Sequence, residues 1–483
     1  MNHQPQPADW NLRNSAPPLL AAAAIRLALL TAVLLRSGAA ALTRPDTQSY
    51  LLPGRNLLLH GAFATNGLPE LLRTPGYPLF LALATLTGPI AASLIQILLS
   101  VLSVALVARL ASQVFATGPT AGGSAAQWDT AAVRSPRRRQ LAPPQVAQAA
   151  IGPTAGGAGA AWIFAFEPLS VLYSILLLPE TLFLFLFLLS LERLTQFLRT
   201  QNLRTLAFAG LALAAATFVR PVTYYLPIPL ALGLSFALRH APSLRVKAPA
   251  VLLLTVLPWL ALWQLRNRIE TGFPGFSAIP TQNLYFYTAA EVTGRLQHQS
   301  LAEVQNQLGY TSDQNFLALH PESARWTQSQ RIAFMQAAAL CTLRSHPATA
   351  LHAYLAGSLR TAFNPGAAVL LSLFNAPIHE SVFARERDQG PLSAWLWLAR
   401  DHPLQTALMA AFTIFLAALY AFAVCGAIRS PAPRSTLCLL LGVSLYFLAV
   451  SGGAAGIARL RLPVMPVLCV LAAAGLPRKK PAR

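Results

Sequence analysis

Asp46, in the stretch "TRPDTQSY" (43–50), follows a long apolar run in a chain of 483 residues that has 16 acids against 36 Lys and Arg. Tyr50 comes four residues later, on the same face of any helix that starts at Pro45. Arginines recur at the edges of other apolar runs: Arg73 in "RTPGYP", Arg220 in "FVRPVTYY", Arg266 in "LRNRIETG", and Arg459 and Arg461 in "ARLRLPVMP". Tyr77 lies inside the first of these motifs. Glu180, in "LLLPETLF", is predicted deeper, about midway along a span. Guanidinium forks match phosphate oxygens, and cations stabilise the charge that develops on a phosphate leaving group. A carboxylate among them can take the proton of an attacking hydroxyl or amine. These residue types suit a lipid-linked phosphosugar held at a bilayer surface, with Asp46 as the base.

Each residue also has a plainer reading. Asp46 after Pro45 fits an acid stabilising a helix N-terminus. Tyr50 fits an interfacial anchor, and the arginines fit headgroup anchors. "PGYP" fits a break between helices. An acid inside an apolar span marks a functional site by default, with structural pairing to an arginine as the alternative. The histidines His298, His320, His346, His352 and His379 show no HExxH-type spacing, so no metal site is assigned and the need for a divalent metal stays open. The four cysteines show no disulfide or zinc spacing.

The elements that must position these groups are apolar helices. The chain is 55% hydrophobic and 11% charged, whereas a soluble domain is roughly a quarter charged. Stretches such as 90–108, 248–265, 402–428, 435–458 and 462–477 hold no Asp, Glu, Lys or Arg, and they are longer than barrel strands would be. This pattern predicts an all-α polytopic membrane protein of about ten spans. The formal net charge is +20. Its cations fall in alternate connections, which argues against nucleic-acid binding and for cytoplasmic loops at those places, with both termini in the cytoplasm. An uncleaved first helix near 19–42 is expected; a signal peptide ending at "SGAAA" (37–41) is the alternative.

Three regions follow. Residues 1–265 form an N-terminal transmembrane module. It includes a first outer loop (43–89) with two surface helices and a Gly/Ala/Pro/Arg-rich cytoplasmic loop (116–146). Residues 266–403 form a polar outer region, and 404–483 hold the last helices. Spans three and four are predicted at 147–166 and 169–192. Arg26 and Arg36, in the first span, must snorkel or face the bundle. The run 383–388 is read as a solvated helix face.

Taken together, several segments resemble the polyprenyl-phosphate-sugar-dependent GT-C glycosyltransferases, the superfamily of the protein mannosyltransferases and the lipid A aminoarabinose transferase. They are "PDTQSYLLPGRNLLLHGAF" (45–63), "LRTPGYPLFLAL" (72–83), "EPLSVLYSILLLPETLFLFLFLL" (167–189), "AGLALAAATFVRPVTYYLP" (209–227), "LRNRIETGFPGFSAIPTQNLY" (265–285) and "ARLRLPVMPVLCVLAAAGL" (458–476). The resemblance implies a GT-C-like helix bundle with juxtamembrane helices in the first outer loop. It implies an inverting transfer from a polyprenyl-phosphate sugar to a lipid, glycan or protein acceptor. It places the enzyme in a bacterial inner membrane, with the site facing the periplasm. The family's first-loop acid maps onto Asp46, and its phosphate-binding cations map onto Arg73, Arg220 and Arg461. Protein mannosyltransferases carry a second acid directly after the first. Here Thr47 stands there, which favours a lipid or polysaccharide acceptor. A flippase or a polymerase/ligase of lipid-linked saccharides is the alternative function; transporters often show two related halves, and no convincing internal repeat is present.

Overall fold

The structure is a computed structural model that describes residues 12–115, 153–374 and 391–476. The expected loop at 116–146, the run 383–388, His379 and the basic C-terminal residues lie outside them. The chain is an all-α polytopic membrane protein. Among the described residues, six helices are long and apolar enough to cross a membrane, and a bent pair brings the number to seven.

Helix α1 (Leu12–Ser37) leads to the first loop, which holds α2 (Pro45–His60) and α3 (Gly76–Ala84). The two helical pieces expected in this loop are both present. Between them, Ala64–Thr65 pairs with Leu68–Pro69 in a minimal hairpin. Asn66 and Gly67 both adopt positive φ, 52° and 77°, the geometry a two-residue hairpin turn needs. Helix α4 (Pro89–Phe115) is followed by α5 (Pro153–Ala165) and α6 (Pro168–Ile175), then α7 (Glu180–Thr200), α8 (Leu203–Val219), α9 (Pro227–Ala237) and α10 (Pro242–Thr271). The last apolar helices are Pro403–Arg429, Arg434–Val450 and Met465–Gly475, the last preceded by a 3₁₀ segment, Ala458–Val464.

The expectation of about ten spans counted every apolar run as a crossing. Three of those runs form shorter apolar helices: 203–219, 227–237 and 434–450 are 10–17 residues long. Proline sets several of the limits. Pro221 follows the end of α8, and Pro227 opens α9, because its ring fixes φ and removes a donor.

A second difference matters for the site. The apolar run 168–191 is not one span. It breaks at 176–179, and α7 begins at Glu180, while α5 and α6 meet at a 55° bend. Exposed backbone polar groups are costly in lipid, so such a break must be satisfied by protein. It is. The Leu177 N–H donates to the Leu42 carbonyl at 2.9 Å, and Thr47 Oγ1 donates to the Leu177 carbonyl at 3.1 Å. Ser93 Oγ reaches the Ile175 carbonyl at 2.7 Å, and Gln96 Nε2 bonds the Leu176 carbonyl. The first loop and α4 therefore clamp the start of α7.

Arg26 resolves the cost of a cation in α1 by facing inward. It is fully buried, and its guanidinium donates to Ser100, Ser170 and the Ala22 and Ala165 carbonyls. The last helices approach closely through glycine. A Cβ on Gly426 would lie 1.8 Å from the Leu471 carbonyl oxygen, and one on Gly475 would lie 2.0 Å from that of Phe422; small residues allow such contact in membrane bundles. The polar region after α10 packs its own small core of Tyr285, Phe286, Phe316, Ile332 and Met335 against Leu71 of the first loop.

Candidate active site

Asp46 sits in the first turn of α2. Pro45 opens that helix with a preset φ, and the Arg44 N–H donates to Thr47 Oγ1 at 2.8 Å to close its N-terminus. Asp46 therefore stabilises the helix dipole as well as facing the bundle. Glu70 shapes the other half of the loop. One of its oxygens accepts from the Leu72 and Arg73 N–H groups at 2.7 and 3.0 Å, and the other accepts from Thr65 Oγ1 at 2.7 Å. This fixes the backbone from which Arg73 projects.

Arg73 then spans the loop. Its guanidinium lies 3.6 Å from Asp46, donates to Ser49 Oγ at 3.1 Å and to Tyr50 Oη at 2.9 Å, and stacks 4.2 Å over the Tyr50 ring. Tyr77 packs edge-on against Tyr50 at 5.1 Å and donates to Gln96 Oε1 at 2.9 Å. It is fully buried, a wall rather than a surface group. From the far end of the chain, Arg459 donates to Asp46 Oδ2 at 2.8 Å and also bonds Glu180 Oε1. Arg220, the residue that ends α8, lies 3.2 Å from the same Glu180 oxygen.

Three guanidiniums and two carboxylates thus meet across segments of distant sequence position. Glu180 enters as the first residue of α7, not from the middle of a span, which corrects its expected depth. A helix N-terminus suits an acid, and its two arginine partners offset the cost of burying it. Its side chain has no exposed surface, whereas that of Asp46 is 43% exposed. Glu180 Oε2 takes no hydrogen bond among the described residues. Asp46 is therefore the carboxylate that solvent and a substrate can reach. Burial alone would raise its pKa. The hydrogen bond from Arg459 and the charges of Arg459, Arg73 and Arg220 outweigh that and hold it below the ordinary value.

Two expected phosphate ligands lie apart from this cluster. Arg461 is buried, and its Nη1 donates to the Thr361, Ala362 and Asn364 carbonyls at 2.8, 2.7 and 3.0 Å. It caps the C-terminal end of helix Pro347–Phe363, where a cation is favourable. Arg266 donates to the Phe63 and Glu70 carbonyls at 3.0 and 3.2 Å, pairs with Glu270, and stacks on Trp263. It ties the first loop to α10. Arg459 and Arg461 share one motif, and only Arg459 turns to the carboxylates.

The polar region after α10 also holds an open cavity lined by Arg295, His298, Gln299 and His352. None of the clustered residues lines it.

No family model matches the chain, and no curated protein matches it in sequence. Among solved structures it is similar to the Archaeoglobus fulgidus oligosaccharyltransferase in the apo form, with 14% identity and a TM-score of 0.47, over 96% of this chain and 50% of that one. It is similar to the archaeal oligosaccharyltransferase AglB from Archaeoglobus fulgidus in complex with an inhibitory peptide and a dolichol-phosphate, with 13% identity and a TM-score of 0.41, over 93% of this chain and 50% of that one. ArnT from Cupriavidus metallidurans in the apo state gives 13% identity and a TM-score of 0.33, over 93% of this chain and 77% of that one. The chain spans about half the length of the two oligosaccharyltransferase chains.

Proposed function

We propose that the protein is an integral-membrane glycosyltransferase. It moves a sugar from a polyprenyl-phosphate donor to a lipid, glycan or protein acceptor, with inversion at the anomeric carbon. The observation that carries this reading is the cluster itself: a reachable carboxylate, Asp46, set among Arg73, Arg220 and Arg459 beside the first-loop helices.

The roles follow from the chemistry. The donor phosphate engages Arg73, Arg459 and Arg220, whose fixed charges stabilise the phosphate as it leaves. The acceptor hydroxyl attacks the anomeric carbon from the opposite side. A carbon–oxygen bond forms there, the bond to the phosphate oxygen breaks, and the phosphate keeps the electron pair. Asp46 takes the hydroxyl proton. Glu180 positions Arg220 and Arg459 and stays out of the reaction. Phosphate oxygens compete with Asp46 for the same guanidiniums. As Arg73 and Arg459 turn toward the phosphate, Asp46 loses the charges that depress its basicity and becomes a better base.

The inner membrane of a bacterium is the proposed location, with the termini in the cytoplasm. Arg199 and Arg204 flank the junction of α7 and α8, while Glu180 and Arg220 mark the opposite ends of those helices. A positive cytoplasmic side supports placing the cluster on the outer face.

Purified protein incubated with a panel of polyprenyl-phosphate sugars is expected to release polyprenyl phosphate from at least one of them. Movement of labelled donor across a vesicle bilayer, without release from any donor, would replace this reading with a flippase.

A further inference from the structure

Residues Asn283–Ala289 form a π-helical segment, a rare geometry that recurs at functional sites. Its surroundings tie it to both arms of the cluster. The Ala278 N–H donates to the Leu71 carbonyl at 2.8 Å, and Ser277 Oγ donates to the Leu72 carbonyl at 2.7 Å. Leu72 and Tyr287 pack on the same small core, and Arg73 is the next residue along. On the other side, Thr288 Oγ1 borders the space above Gly453, in the segment that leads to Arg459.

This segment presents Tyr287, whose hydroxyl lies 2.8 Å from that of Tyr310. The two rings meet edge-on at 5.6 Å, and Tyr310 also lies 5.3 Å from the Phe286 ring. One hydroxyl must donate to the other, so one O–H of the pair is left for a ligand. Gly309, at φ +83°, makes the turn that delivers Tyr310; a Cβ there would meet the Phe316 backbone at 2.6 Å. Tyr310 is 44% exposed. The neighbouring side chains Asn306, Thr311 and Asn315 are neutral and hydrogen-bonded to one another. The nearby charges Arg331 and Asp313 are paired at 2.7 Å. Tyr287 is half-buried. Burial pushes its phenol up, the bond to Tyr310 and that neighbour's charge add to this, Asp46 adds further, and Arg73 opposes it.

We propose that Tyr287 and Tyr310 form the acceptor subsite, and that it takes a neutral saccharide whose hydroxyl is delivered to Asp46. The inference rests on the glycosyltransferase reading and narrows its acceptor to a glycan. An exposed aromatic face suits the apolar C–H face of a sugar ring, and the phenol pair and amides suit its hydroxyls. Among the described residues, the charges beside the pair, Arg331 and Asp313, neutralise each other, which selects neither an anion nor a cation.

The test uses the full chain in detergent and a panel of neutral methyl glycosides, read by saturation-transfer NMR. At least one glycoside is expected to bind wild type. The same glycoside should bind Asp46→Asn and lose its signal in Tyr287→Ala and Tyr310→Ala. Tyr287→Phe and Tyr310→Phe keep the rings and remove the hydroxyl pair; each should weaken binding about fivefold, the worth of one net hydrogen bond. No binding by any glycoside, or equal binding by wild type and all four tyrosine variants, overturns the subsite. With a donor that wild type turns over, the tyrosine variants should still release lipid phosphate to water while the KM for the glycoside rises. An unchanged glycoside KM overturns the inference alone. No phosphate release by wild type from any donor overturns the glycosyltransferase reading instead.

Discussion

Among the described residues, Arg459 is the one that touches both carboxylates, so replacing it by alanine tests how the cluster is held. Glu180 has no exposed surface and would keep only Arg220, at 3.2 Å. Removing one partner of a buried pair costs about 3–5 kcal/mol. The remaining arginine puts the cost at the low end, about 3 kcal/mol. Asp46 is 43% exposed on its side chain, so its share is about 1 kcal/mol or less. The chemical effect should be larger than the structural one. Loss of one preorganised donor near a developing charge lowers rates by about 10²–10³. The assay pairs initial rates of polyprenyl-phosphate release with thermal unfolding in detergent. Arg459→Lys is the control, since a lysine keeps the charge but not the planar fork that reaches two carboxylates at once. It should recover most of the stability and little of the rate. An alanine variant that melts like wild type and turns over within about twofold of it would refute the bridge as a working part of the site.

Further outcomes follow from the same geometry. Because arginine charges hold Asp46 below its ordinary value, its base form should persist under acid. The acid limb of kcat/KM should fall below about pH 3.9 in wild type and move up in Arg459→Ala. The matching stability is present above the unfolded pKa and is lost as pH falls through the folded one, which a melting series in pH would show. Arg73→Ala should raise the donor KM, whereas Arg461→Ala should lower the melting temperature and leave the donor KM alone; equal KM effects would contradict the separation of the two. A cysteine placed at Asn283 should be labelled by an impermeant reagent from outside the cell, and labelling only after permeabilisation would reverse the orientation.

Much of this arrangement can be read from residue order. Pro45 before Asp46 announces a helix start, and the four-residue step to Tyr50 puts both on one face, as found. The two helices of the first loop and the long span 89–115 follow from prolines and uninterrupted apolar residues. Other features depend on tertiary contacts that spacing does not encode. Glu180 sits in a run that reads as continuous, and the break before it exists because Thr47, Ser93 and Gln96 satisfy its backbone. Arg459 and Arg461 are two residues apart in a 3₁₀ segment, where three residues make a turn, so their side chains point in different directions. Which one meets the carboxylates depends on where helix Pro347–Phe363 ends. Arg266 has the same flanking pattern as the clustered arginines, yet the carbonyls of Phe63 and Glu70 take its donors. Nothing in the sequence marks Tyr287 as a neighbour of the first loop, because the bond from Ala278 to Leu71 joins segments far apart in the chain.

The most direct measurement is polyprenyl-phosphate release by purified Asp46→Asn beside wild type, each with the donor that wild type uses and each shown to be folded by its melting curve. Asparagine keeps the shape and can still accept from Arg459, but it cannot take a proton. The expected result is a folded protein whose rate is lower by at least about 10²-fold, the usual worth of a general base. Wild-type rates from the folded variant would show that Asp46 is a helix-start acid and that the proton goes elsewhere.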